Sequence, residues 1–396
     1  MSNAAGRSRE LRRAGRRQQQ VRRRRLGALG AVAALAAIAG AIAGSGGEDG
    51  RRPGGAAPIP PQCSGSGPKA ARRMAGQRIV VRTDASPDSK LLRRARAGEI
   101  AGVIVFPDTG EDAEAVRAGV KRLQAAAAEG GQPSLVVSTD QEGGAVKRFL
   151  EAPPQRSPAQ LALDGDGGDA QLEGKATGTF LAGLGINVDL APVLDVPTST
   201  ESVVHSRAFG STPERVANLG LRFAAGLEKG GVRATAKHFP GLGRSTINTD
   251  LGPSQIDASR RDLRQDLAPF EEAIAQGIPL IMVGTASYPE LGAKAPAALD
   301  PAIVQGLLRD RLGFQGVAIS DDLQAGAIDA SYTSAEAAIA GAAAGMDLLL
   351  FAGDAAPGVL GPLAAAISGG KVEIEAARAA CTRVVALRER LGPPAG

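Results

Sequence analysis

Eight short apolar runs, separated by helical patterns, constrain the fold of this chain more than any other feature. They are Ile79–Val81, Gly102–Phe106, Leu135–Ser138, Ile186–Leu190, Val232–Ala236, Pro279–Val283, Val317–Ser320 and Asp347–Phe351. Most are nearly continuous rather than alternating, the pattern of parallel strands buried on both faces. One intervening segment starts at Asp112 and places Val116, Val120 and Leu123 on one helical face. Another opens with Thr212 as N-cap and Pro213 at the first helical position, carries Val216, Leu219, Phe223 and Leu227, and stops before Gly230. Eight strands alternating with helices over roughly 320 residues predict an α/β chain folded as a single (β/α)8 barrel of the TIM type. A doubly wound open sheet is the alternative.

The first 69 residues do not share this pattern. Residues 1–25 hold ten arginines and one acid, Glu10, so this tail carries +9 of a net +5 and the remaining chain −4. A basic tail on a mildly acidic body reads as a targeting signal, not as a nucleic-acid-binding domain. The uncharged run Leu26–Gly44 comes next, close to the roughly twenty residues a helix needs to cross a bilayer. Arginines ahead of it favour a cytoplasmic tail, and so a transmembrane anchor with everything beyond residue 45 outside the membrane. A cleavable signal peptide ending near Ala41-Ile42-Ala43 is the alternative. Residues 45–69, rich in Gly, Pro and Ser, read as a flexible linker, leaving 70–392 for the barrel domain.

Composition removes several classes of function. Aromatic residues make up 3% of the chain and Trp is absent, so neither an aromatic-lined base-stacking platform nor an aromatic-lined sugar cleft is expected. Two cysteines and two histidines exclude a disulfide framework and disfavour a Cys/His metal site; no cofactor is expected. Cys63 lies in the linker and Cys381 on a helix face with Ile374, Ala377, Val384 and Val385. In an exported chain the two can pair and pin the linker; otherwise Cys381 is a buried thiol.

In a barrel of this type the active site forms at the carboxyl ends of the strands. Four of the runs lead directly into polar, ionisable residues: Asp140-Gln141-Glu142-Gly143-Gly144 after the third, Pro192 and Asp195 after the fourth, Lys237-His238-Phe239-Pro240-Gly241 after the fifth, and Asp321 and Asp322 after the seventh. One strand-end Asp is usually a turn former. Four such ends meeting at one mouth predict a site.

With Ser206-Arg207-Ala208-Phe209-Gly210 and Ala191-Pro192-Val193-Leu194-Asp195-Val196, these segments resemble glycoside hydrolase family 3, in particular its bacterial β-N-acetylhexosaminidases. The resemblance covers roughly residues 70–390 and implies a retaining mechanism. It gives Asp321 the role of nucleophile, and Asp140, Arg207, Lys237 and His238 the role of binding the sugar in the −1 subsite. Asp322 suits a helix cap. Asp195 has two readings, a structural hydrogen-bonding group or a ligand contact.

The chain departs from the family pattern on the loop after Lys237-His238-Phe239-Pro240-Gly241. The family's acid/base is a histidine paired with an aspartate; here Asn248 stands at the aspartate position and Asp250 at the histidine position. Leu242, Ala145 and Thr285 also replace residues common in the family. Asp250 is therefore the candidate acid/base and Asn248 its support, with a solvated loop carboxylate as the other reading of Asp250. A second domain donating a glutamic acid has no room if the barrel takes residues 70–392. Asp164-Gly165-Asp166-Gly167-Gly168-Asp169 resembles a calcium loop, but it lacks the terminal glutamate and reads as a solvated turn. Gly241-Leu242-Gly243 with Arg244-Ser245 is a weak anion-site signal that would suit a phosphorylase.

The resulting expectation is an exported β-N-acetylhexosaminidase that removes N-acetylglucosamine from cell-wall muropeptides or chitooligosaccharides through a glycosyl-Asp321 intermediate. It is tethered to the membrane by 26–44. The alternatives are a catalytically impaired, membrane-tethered sugar-binding protein and a family 3 glycosidase acting on another β-glycoside.

Overall fold

A computed structural model describes residues 58–107, 113–353 and 358–392. The basic tail 1–25 and the apolar run 26–44 lie outside the described residues. Among the described residues no helix is long and apolar enough to cross a membrane.

Each of the eight apolar runs overlaps a strand. In chain order, and including a short hairpin, these are β1 (Ile79–Thr83), β2 (Gly102–Val105), β3 (Val136–Thr139), β4 (Gln141–Gly143), β5 (Val146–Lys147), β6 (Val188–Asp189), β7 (Arg233–Phe239), β8 (Leu280–Val283), β9 (Val317–Ser320) and β10 (Leu349–Phe351). The parallel sheet runs β10-β1-β2-β3-β6-β7-β8-β9. A parallel bridge, Ile319↔Leu348, joins its two ends and closes the circle. The barrel is thus the closed form rather than the open doubly wound sheet.

Strand periodicity sorts the side chains into two cores. Val80, Ile104, Val136, Val188, Leu280, Met282, Val317, Ile319 and Leu350 point inward and form one buried cluster. Ile79, Val81, Val103, Val105 and Val137 point outward against the helices. Both faces are buried, which is why the runs read as continuous apolar sequence. The helix Pro213–Lys229 begins as its sequence predicts, with the Thr212 side chain accepting from the Arg215 N–H.

The base of the barrel is plugged by the last helix, Ile374–Arg390, whose Val384 and Leu387 join the inner cluster. Arg388 is buried there and donates to the carbonyls of Ser134 (2.9 Å) and Pro133 (2.6 Å) and to Gln77. Asp347, just ahead of β10, accepts from Arg383 Nε (2.9 Å), the Ala318 N–H (2.8 Å) and Arg309. A disulfide between Cys63 and Cys381 fastens the turn Pro61–Cys63 to this helix.

That attachment corrects the expected linker boundary of 69. The chain is packed from about residue 61: Cys63 is fully buried, and the helix Gly67–Gly76 buries Ala70, Ala71, Met74 and Ala75. A Pro in its first turn and a small-residue apolar stripe are enough to build a helix that the Gly/Ser content around it obscured. The Asp-rich segment 164–169 is also not a free turn. Asp166 caps the helix Gly167–Gly183, accepting from the N–H groups of Gly168 and Asp169, and Asp169 completes a capping box.

Candidate active site

Inward-facing residues recur every second position, so the inner clusters on β1, β2, β3, β9 and β10 lead to Arg82, Phe106, Asp140, Asp321 and Ala352 at the carboxyl end. All five line a cavity of about 620 Å³, together with Glu142, Arg148, Arg207, Lys237, His238, Leu242, Asn248, Asp250 and Asp322. A larger hollow of about 780 Å³ lies at the opposite end, lined by segments that precede the strands and by Leu387 of the plugging helix. It holds no comparable convergence of acids and bases.

Strand β7 extends past its expected end, so Lys237 and His238 sit on the sheet rather than on a loop. The β4–β5 hairpin is an addition to the eight expected strands. Gly143 and Gly144 both have positive φ, 98° and 62°, which only glycine adopts without strain, and this turns the chain back immediately after Asp140. The hairpin delivers two residues to which the sequence pattern assigns no role, Glu142 within it and Arg148 just after it.

Glu142 is the hub. It accepts from Arg207 through both oxygens (Nε at 2.8 Å, Nη2 at 2.7 Å) and pairs with Lys237 Nζ at 2.6 Å. Lys237 also donates to Asp140 (2.8 Å), and Arg148 donates to the other Asp140 oxygen (2.9 Å). Burial alone would raise the pKa of both carboxyl groups, but the adjacent cations prevail. Lys237 and Arg207 hold Glu142 at about 2, and Lys237 and Arg148 hold Asp140 well below the usual carboxylate range. Burial would likewise lower Lys237, yet Asp140 and Glu142 raise it. The result is a rigid, ionised floor of two carboxylates and three cations.

His238 is fixed from behind. Asp195 accepts from its Nδ1 (2.7 Å), from its backbone N–H (3.2 Å) and from the Leu242 N–H (2.6 Å). With the Nδ1 proton on the Asp195 side, Nε2 is left as an acceptor facing Arg207 Nη2 at 3.4 Å. Asp195 is wholly buried and does not line the cavity, so the geometry matches the hydrogen-bonding reading rather than ligand contact.

Asp321 directly follows β9 and lines the cavity; one of its oxygens accepts from the Asp322 N–H at 2.9 Å. Asp322 instead accepts from the N–H groups of Gln324 (2.9 Å) and Ala352 (3.0 Å), tying β9 to the end of β10. Burial outweighs those two bonds and lifts it to about 6.

The loop with Asp250 reaches over the same cavity. Its backbone is held from below, where the Gly326 and Ala327 N–H groups donate to the carbonyls of Asp250 and Thr249 at 2.9 Å each. Asn248 Oδ1 accepts from the Asp250 N–H (3.0 Å), so the Asn side chain shapes the turn through the backbone. Burial and then the neighbouring Asp321 raise the Asp250 carboxyl, against weaker opposition from His238, Arg207 and the Asn248 amide. A carboxyl beside a second carboxyl favours its protonated form, which is what a proton donor requires.

The anion signal of the glycine-rich loop carries no ligand chemistry. Arg244, on the glycine-rich loop, is held by Asp266 at 2.6 and 3.2 Å and is not available to a free anion. No group of three or more His, Cys, Asp or Glu side chains among the described residues is arranged to hold a metal ion. A further buried acid carries no signal in the sequence pattern: Asp189, on β6, accepts from the Gln141 N–H at 3.0 Å, and its second oxygen has no partner among the described residues. Burial lifts it to about 8.

The sequence and the fold have counterparts among known proteins. The chain is 34% identical across 332 residues to an uncharacterized secreted glycosyl hydrolase of Arthroderma benhamiae, covering 80% of this chain and 93% of that protein. A β-hexosaminidase of Methylococcus capsulatus is 34% identical over 227 residues, 55% of this chain and 67% of the relative. The solved β-N-acetylhexosaminidase of Beutenbergia cavernae superposes with a TM-score of 0.72 at 32% identity, covering 80% of this chain and 98% of that one. A family 3 β-N-acetylglucosaminidase from a Paenibacillus species superposes with a TM-score of 0.77 at 31% identity; this chain matches 63% of its length and is itself covered to 82%. The model of the glycosyl hydrolase family 3 N-terminal domain matches residues 77–387, from the start of β1 to the plugging helix, and the chain belongs to that family of glycoside hydrolases.

Proposed function

We propose that the protein is a retaining β-N-acetylhexosaminidase that releases terminal N-acetylglucosamine, with Asp321 as nucleophile and Asp250 as acid/base. One observation carries the reading. Two carboxyl groups, Asp321 and Asp250, line one cavity whose floor is a fixed network of Asp140, Glu142, Lys237 and Arg207, and burial, then the neighbouring Asp321, raises the pKa of Asp250. The names of the relatives from Methylococcus, Beutenbergia and Paenibacillus support N-acetylhexosamine as the sugar.

The charges dictate the steps. The floor orients the sugar hydroxyls and Asp321 attacks the anomeric carbon, forming a glycosyl ester as the bond to the leaving oxygen breaks. Asp250 gives its proton to that oxygen. As a carboxylate it then takes a proton from water, which attacks the same carbon and frees Asp321. Leaving-group protonation is typically worth a factor of about 10²–10⁴, so a carboxyl in place of a histidine is compatible with turnover.

Location is part of the proposal. The secreted relative, the basic tail ahead of the apolar run 26–44, and the Cys63–Cys381 disulfide all support an extracytoplasmic domain. Muropeptides and chitooligosaccharides are the two substrate types that fit such a location.

A panel of aryl β-glycosides tests the reading. Rapid release from the N-acetylglucosaminide, slower release from glucoside and xyloside, and loss in Asp321→Ala are the expected results. Equal release by the wild type and Asp321→Ala overturns the enzyme mechanism; saturable sugar binding without any release identifies a sugar-binding protein instead.

A further inference from the structure

We propose that a cleft on the flank of the barrel, walled by Lys90, Arg93 and Arg94 and by the start of the helix Leu360–Ser368, binds a phosphate group, either free or carried as a monoester on a larger molecule. None of these residues lines the cavity at the mouth, so the proposal stands apart from the glycosidase reading.

The helix Ser89–Arg96 follows β1 and carries Lys90, Arg93 and Arg94 at spacings of three and four, which puts the three cations on one face. Like charges placed this way repel, and the helix holds no acid to offset them. Asp88, just ahead of it, is occupied as the N-cap and accepts from the Leu91 N–H at 2.6 Å. The basic face borders a cavity of about 470 Å³, whose other walls are Arg72 on the helix Gly67–Gly76, Ala97, Glu99, Leu360 and Gly361. Glu99 is the one acid among these lining residues, and it is already paired with Arg72 at 2.7 Å. The side chains of Lys90 and Arg94 have no hydrogen-bond or ion-pair partner among the described residues, and that of Arg93 donates only to Ser89 Oγ at 3.2 Å.

Two observations point to a missing anion. Nη2 of Arg94 is shielded from water and has no acceptor, and burial lowers the pKa of this guanidinium although Glu99 and Asp88 oppose the shift. A shielded charged donor left unmade is costly, and an anion seated in the cleft reduces that cost. The helix Leu360–Ser368 begins at the cleft without a side-chain cap, so its first N–H groups lack intrahelical acceptors and present the positive end of the helix dipole. A Cβ on Gly361 would meet nothing within 4 Å, so the approach along that helix start is open. The walls themselves are fixed: the Arg72–Glu99 pair ties the helix Gly67–Gly76 to the segment after Arg96, and a Cβ on Gly76 would overlap the Gly98 carbonyl oxygen.

The donor set selects the ligand. Three cations without an acid partner and a helix N-terminus exceed what a carboxylate, with one charge and two oxygens, can satisfy. A phosphate monoester brings about two charges and three strong acceptor oxygens, and guanidinium groups and helix starts both suit it.

The test is calorimetry at constant ionic strength with inorganic phosphate, glycerol 3-phosphate and acetate as probes. The proteins are the full-length wild type, Arg94→Gln, and a double variant with Lys90→Glu and Arg93→Glu. The arginine-rich tail is common to all three, so the differences between them read the cleft. The wild type is expected to bind phosphate at least tenfold more tightly than acetate. Affinity for phosphate should fall about tenfold in Arg94→Gln and by more in the double variant, as for lost charge-assisted bonds. Melting curves without phosphate show that the variants fold; both double-variant sites are exposed, so that protein decides the matter even if Arg94→Gln is unstable. Tighter binding of glycerol 3-phosphate than of inorganic phosphate supports a phosphate carried on a larger molecule, and the reverse order supports the free ion. Equal phosphate affinity in the wild type and the double variant overturns the proposal, as does acetate binding as tightly as phosphate.

Discussion

In the proposed mechanism Asp250 takes the place of the histidine that the family resemblance implies, and its chemistry sets a distinct dependence on pH and leaving group. A histidine donor is a cation that becomes neutral; a carboxylic acid donor is neutral and becomes an anion beside Asp321. Burial and then Asp321 raise its pKa, so the proton-donating form persists to higher pH than in an unperturbed carboxyl group and is lost as pH rises through the raised value. We expect kcat/KM for a sugar leaving group to fall along that alkaline limb. Asp250→Asn should lower it by about 10²–10⁴ and abolish the limb, while an aryl leaving group of low pKa, which needs little protonation, loses far less in the glycosylation step. Steady-state rates for both substrates across pH check this. An Asp250→Asn enzyme with an unchanged profile assigns the limb to another group. The pair Asn248→Asp with Asp250→His complements the experiment, since it rebuilds the family's dyad on a loop already held by the Gly326 and Ala327 N–H groups.

At the scale of elements, the features legible in the sequence are those that local chemistry decides. The eight apolar runs and the Thr212 cap are legible because burial on both faces and an N-cap bond each leave a signature within a few residues. The convergence of Asp140, Lys237, His238 and Asp321 is legible because barrel topology sends every strand end to one mouth. The role of Glu142 as their hub is not, because its partners Arg207 and Lys237 are distant in sequence. The helix Gly67–Gly76 is hidden because its stability comes from packing Ala70, Ala71 and Met74, not from its Gly/Pro-rich setting. Helix–helix fit is similarly hidden. The helices Gly167–Gly183 and Pro213–Lys229 approach so closely that a Cβ on Gly226 would sit 2.3 Å from the Gln171 carbonyl oxygen. Gly226→Ala is therefore expected to destabilise by about 1–3 kcal/mol despite the better helix propensity of Ala. A urea titration checks it, and a stabilised variant would show that the two helices separate at little cost.

Across the whole molecule, charge is stored at both ends of the barrel, and the mouth makes its stability depend on pH in two opposed ways. The base is neutralised and stapled: Asp347 between Arg309 and Arg383, Arg388 against carbonyls, and Cys63 joined to Cys381. At the mouth, Glu142 is held at about 2, below its ordinary 4.5, so the stability it contributes is complete above about pH 4.5 and lost as pH falls toward 2. Asp189 runs the other way. Lys237 faces it favourably and Asp140 and Glu142 unfavourably, but burial dominates and lifts it to about 8 from 3.8. A group raised in the folded state contributes its stability below the unfolded value and loses it as pH climbs from about 4 to about 8. Asp189→Asn keeps an oxygen for the Gln141 N–H and cannot ionise, so it removes that loss. The variant should melt several degrees above the wild type at pH 8 and within about a degree of it at pH 4. Melting curves at the two pH values decide the matter: a difference that does not grow with pH would mean that Asp189 is ionised in the folded protein, and that its partnerless oxygen carries a charge which Lys237 stabilises at a distance.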